Sequence, residues 1–121
     1  MRRPSATLCG LLLGGALACG DADPLRLVDG SLSVLIGAGG LVAANQSVTH
    51  PIGVVAIEEG VAAVADLAPC ETWETIPPAT SRTVPFQEIL GWAEDSEWVL
   101  VYWCQQAGPA DGGSVRIRIR R

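Results

Sequence analysis

The chain has 121 residues, a formal net charge of −5, 49% apolar residues and 17% charged residues. That length supports one domain and not two, and the low charged fraction argues against a disordered acidic tail. The acidic balance points away from nucleic acid as a partner; the eight basic residues are all Arg.

Met1-Arg2-Arg3-Pro4 is a short basic start, Leu8 to Ala18 is an apolar run, and charge returns at Asp21 and Asp23. A membrane-spanning helix needs about 20 apolar residues, so this run is too short to span. Its basic, apolar and small-residue layout is that of a secretory signal peptide over residues 1–18. Ala16-Leu17-Ala18 has the small-x-small pattern of ordinary signal cleavage. The same residues followed by Cys19 resemble the bacterial lipobox, in which the cysteine is lipidated and becomes the new N-terminus. That resemblance implies a lipid on Cys19 and a short tether over residues 19–24. The chain is then a membrane-anchored lipoprotein of the bacterial cell envelope, with secretion as the alternative. The processed chain keeps six Arg against thirteen acids, a formal side-chain charge of −7.

Residues 25–121 read as short strands. Leu25 to Val28 and Ser31 to Ile36 are apolar and partly alternating; Leu41 to Asn45 ends in a polar turn; Ile52 to Glu58 is rich in β-branched residues. Val61 to Leu67 has the Ala content of a helix and the length and flanks (Gly60, Pro69) of a strand; we expect a strand. Trp73 to Ile76 stops at Pro77-Pro78, and Ser81 to Val84 is a further short strand. Pro85 to Leu90 before Gly91 suits one helical turn. Trp98 to Cys104 is apolar on both faces and belongs in the middle of a sheet, or under cover on both sides. Val115, Ile117 and Ile119 alternate with Arg116, Arg118 and Arg120, which gives one buried and one solvated face. Many short strands spaced by Gly, Pro and polar turns predict an all-β, immunoglobulin-like antiparallel sandwich of about seven strands.

The cysteines divide by position. Cys9 leaves with the signal and Cys19 takes the lipid, so Cys70 and Cys104 remain as an even pair in an oxidising compartment. A disulfide is the expectation, with two buried thiols as the alternative. Two Cys and the single His50 do not supply four zinc ligands, and we expect neither metal nor cofactor.

Ala68-Pro69-Cys70, Trp73 and Ile76-Pro77-Pro78-Ala79-Thr80-Ser81 resemble a segment of small bacterial immunoglobulin-like modules, where a Pro-Gly-x-Ser turn leads into the next strand; here Ala79 stands at the Gly position. Ile89-Leu90-Gly91-Trp92 and Glu97 to Trp103 are similar to a group of small bacterial envelope lipoproteins that end in an aromatic strand and a hairpin. The resemblance spans roughly residues 41–120. It implies a sandwich in the envelope and carries no catalytic residue.

Candidate chemistry is sparse. His50 before Pro51 reads as a surface-turn histidine. Glu58-Glu59 and Glu94-Asp95-x-Glu97 read as solvated turns, without the spacing of a calcium loop. Trp98 and Trp103 have opposite parity on one strand, so one belongs to the core and the other is free to serve as a binding anchor. Arg116, Arg118 and Arg120 share a strand face. They either pair with nearby carboxylates and discourage edge-to-edge pairing or meet anionic headgroups or an acidic partner. The candidate binding face is Trp92, Trp98, Trp103, Arg116, Arg118 and Arg120. The expected function is non-catalytic: an interaction or structural module at the bacterial membrane surface, with an envelope protein or glycan as partner. The alternative is a proteinase inhibitor that presents the Pro-rich segment Ile76 to Ser81.

Overall fold

The structure is a computed structural model that describes residues 8–12, 15–18, 26–106 and 111–119, with side chains for the last two stretches. Cys19, the tether over 19–24, Arg120 and Arg121 lie outside the described residues. Strands β1 (Leu8–Leu12) and β2 (Gly15–Ala18) pair with each other as a two-stranded sheet.

The remaining strands make two antiparallel sheets of four. The first sheet in chain order holds β3 (Leu27–Asp29), β4 (Leu32–Ile36), β5 (Gly40–Asn45) and β8 (Ser81–Pro85), in the order β3-β4-β5-β8. The second holds β6 (Ile52–Glu58), β7 (Glu74–Ile76), β9 (Trp98–Gln105) and β10 (Gly112–Arg118), in the order β10-β9-β6-β7. The fold is an all-β sandwich. Its first three strands form a meander, so it shares its architecture with immunoglobulin-like domains while the strand order is its own.

Period-two patterning decides what faces inward. Register pairs Val115 with Val101 and Ile117 with Val99, while Ala56 opposes Val101 and Val54 opposes Trp103. These residues, with Leu32, Val34, Leu41, Ala43, Ile52 and Ile76, form one buried cluster between the sheets. Each large apolar side chain buried there contributes roughly 1.5–3 kcal/mol of transfer free energy. Trp98 to Cys104 is an interior strand, as its two apolar faces required.

The inward-facing polar groups sit at the sandwich margins. At one lateral edge the Trp103 Nε1–H donates to Asp29 Oδ2 at 2.7 Å, which ties β9 to β3. At the other edge Arg82 on β8 forms an ion pair with Glu74 on β7, again between the sheets. At one end Asn45, 2% exposed, donates from Nδ2 to the carbonyls of His50 (2.8 Å) and Ile76 (3.0 Å), which links β5 to the strands across the core.

Val61–Leu67 is not a strand. Glu59–Ala62 forms a single helical turn (α1), capped by the Glu58 side chain, which accepts from the Val61 N–H at 3.1 Å. The chain then runs without regular structure to a 3₁₀ turn at Cys70–Thr72. The edge of β6 that a strand here would have paired with is partly taken. Leu90 N donates to Ala56 O and Leu90 O accepts from Glu58 N, which makes an isolated parallel bridge. The turn expected over Pro85 to Leu90 is a 3₁₀ turn at Phe86–Glu88.

Candidate functional site

Of the predicted binding residues, Trp98, Arg116 and Arg118 share one face, and Trp92 and Trp103 lie elsewhere. Trp103 is 3% exposed and belongs to the core, so it is no part of an outer face. Trp92 is half-buried against the core and stacks on Phe86, with ring centroids 5.2 Å apart. Trp98 lies on the outer face of the β9 sheet, half-buried, beneath the guanidinium of Arg116 at 3.7 Å and that of Arg118 at 5.9 Å. Arg116 also forms a two-pronged ion pair with Glu59, and Arg118 pairs with Glu97. The described part of the Arg stripe is thus paired with carboxylates from the two acidic groups. The hydrogen bond from Arg116 holds the Glu59 carboxyl below the ordinary carboxylate range, and the same bond raises Arg116.

His50 is half-buried, with its Nδ1 2.7 Å from the Thr49 hydroxyl. The pair is local to a turn in which Ser47 Oγ accepts from the amides of Thr49 and His50. Among the described residues, no three His, Cys, Asp or Glu side chains converge as a metal site, and no helix is long and apolar enough to cross a membrane.

Cys70 and Cys104 form a disulfide, with Cα atoms 6.2 Å apart. Cys104 points to the outer face of its sheet, so the bridge pins the 3₁₀ turn on the outside and does not join the two sheets. Gln106 reinforces it: Nε2 donates to the carbonyls of Cys70 (2.9 Å) and Trp73 (3.1 Å). The segment from Glu59 to Trp73 is therefore held at both ends, by Arg116 at one and by the disulfide at the other.

Between these anchors the segment stands away from the sheet and leaves a cleft of about 600 Å³. Its floor is β6 from Val54 to Ile57. Val61, Leu67 and Trp73 line it, as do Arg82 and Val84 of β8 with Glu88 and Leu90. Trp73 is fixed by donation from its Nε1–H to Ala68 O at 2.7 Å. Two apolar side chains that line it are exposed, Leu90 at 52% and Val61 at 36%, and Val64, bonded through its amide to Val61, is 85% exposed. Asp66 and Glu88 are exposed, and among the described residues neither has an ion-pair partner. A volume of this size lies within the roughly 300–1,000 Å³ range of ligand pockets. No protein-family model, no curated protein and no solved structure matches the chain.

The sequence places Trp73 at the start of a short strand and does not reveal the cleft. Its walls come from segments far apart in the chain, and its existence depends on residues 61–67 not being a strand. The one available signal was local: Gly60 and Pro69 bracket an Ala-rich stretch that suits a short helical turn as well as a strand.

Proposed function

We propose that the chain is a non-catalytic binding module of the bacterial cell envelope, held at the membrane surface through a lipid on Cys19. The cleft at the β7–β8 edge carries the binding half of this reading: it is open, lined largely by apolar side chains and bordered by a segment fixed at both ends. The anchor half rests on the basic, apolar and small-residue order that ends at Cys19. The partner is an envelope protein or glycan, and no cofactor is invoked. The inhibitor reading gains no support from the Ile76–Ser81 turn. That turn is tight: Ala79 N donates to Ser47 O, Asn45 N donates to Thr80 O, and the Thr80 hydroxyl donates to Pro77 O.

Two measurements on protein taken from intact envelopes test the proposal. Intact mass should start at Cys19 and include acyl chains; an unacylated soluble form would refute the anchor. A photo-cross-linking residue at Leu90 should give one dominant adduct that is missing when the same residue replaces Val28, an exposed position on β3 at the opposite edge. Equal labelling from both positions would sink the binding role.

A further inference from the structure

The floor of the cleft contains an unfinished sheet edge. β7 pairs with β6 only from Ile52 to Val54, and Leu90 takes up pairing at Ile57. In a strand, the N–H and C=O of one residue point to the same edge. The Ala56 carbonyl faces this edge, since it accepts from Leu90 N at 3.1 Å. The Ala56 N–H therefore faces it too, in a residue only 8% exposed, and none of the described groups accepts from it. A strand-edge amide without a protein acceptor is a ready donor to an added segment, and this one belongs to a residue that lines the cleft.

Two further features narrow what completes it. The lining is largely apolar and includes Trp73 and Leu90. The charge left over at the rim is negative: Glu74 is spent on Arg82, whereas Asp66 and Glu88 have no cationic partner among the described residues. A strand-edge donor, an apolar trough and two free carboxylates together match one chemistry: a backbone carbonyl, an apolar side chain and a flanking cation.

We propose that the cleft binds an extended peptide segment in which an apolar side chain is flanked by Arg or Lys. The segment adds one carbonyl to the Ala56 N–H in the manner of a short edge strand, sets its apolar side chain against Trp73 and Leu90, and places its cations against Asp66 and Glu88. This rests on the binding-module reading above and gives that module's partner a chemistry.

The test uses the purified full chain and two synthetic peptides, acetyl-Arg-Val-Leu-Arg-amide and acetyl-Glu-Val-Leu-Glu-amide. Binding is followed by amide NMR. The basic peptide should shift the Ala56 amide and the Trp73 indole N–H. The acidic peptide should bind about tenfold or more weakly, because like charges at the rim oppose it. The double variant Asp66→Asn/Glu88→Gln, at two exposed positions, should weaken the basic peptide by about fivefold and flatten its salt dependence; Glu71→Gln, outside the cleft, should change nothing. Equal binding of both peptides, or shifts confined to the Trp98 face, would overturn the proposal. So would octylammonium binding as tightly as the basic peptide, which would make the site a pocket for small amphiphilic cations. If neither peptide binds while Leu90 still cross-links to one partner in envelopes, the peptide chemistry is wrong and the binding module stands. If both fail, both readings fall.

Discussion

Ala79 shows how one residue can be read correctly for its place and not for its shape. The Pro77-Pro78-Ala79-Thr80 turn was expected from a pattern that carries Gly at the third position, and Ala79 keeps that geometry with φ +56°. A left-handed conformation costs a residue with a Cβ roughly 1–2 kcal/mol, partly offset by the smaller entropy that Ala loses on folding compared with Gly. Ala79→Gly should therefore raise stability by about 0.5–1 kcal/mol, seen as a higher urea midpoint with an unchanged slope. Glu59 provides a second test at this scale. Its folded pKa lies below the unfolded value, so its contribution to stability is present above the unfolded pKa and is lost as pH falls through the folded one. A carboxyl NMR titration should find Glu59 below the ordinary carboxylate range, and Arg116→Ala should return it upward. An unchanged Glu59 titration in that variant would mean that the ion pair with Arg116 is not formed in solution.

At the scale of elements, strand positions were legible because a half-buried strand writes its period directly into the chain. Ile52 to Glu58 and Trp98 to Cys104 match β6 and the greater part of β9, and the alternation gives Val115 and Ile117 as the inward set of β10, with Ile119 buried just beyond it. Residues 61–67 were not legible. Their composition fits two conformations, and the outcome turned on Leu90, 23 or more positions further on, bonding to the edge of β6. The pairing of Cys70 with Cys104 was anticipated, but its place on the outer face was not, since that depends on the parity of Cys104 within β9. Closing this loop of 34 residues should contribute about 3–4 kcal/mol through lost entropy of the unfolded chain. Reduction, or Cys70→Ser with Cys104→Ser, should remove that stabilisation. Hydrogen exchange should then speed up most over residues 63–73, which lose one of their two anchors, and only slightly in β9.

For the whole molecule, the sequence carried the two-layer class but not which strands neighbour which. Strand order depends on contacts between distant segments that leave no local period, and so does the cleft, whose walls meet only after β7 and β8 cross from one sheet to the other. The Trp and Arg residues that stood out by type are largely used within the fold: Trp103 on Asp29, Arg116 on Glu59 and Trp98, Arg118 on Glu97. The residues left with unspent chemistry, Asp66, Glu88 and the Ala56 amide, were unremarkable by type. The arrangement of edges has a practical side. The first and last strands of the sandwich, β3 and β10, lie together at one margin, while the cleft occupies the margin of β7 and β8, three strand spacings or roughly 14 Å away. The domain is in effect a cassette with its socket on the back: β3 is the strand through which to fuse, immobilise or fluorescently label it, since β10 carries the Arg116 that holds the Glu59 end of the cleft wall.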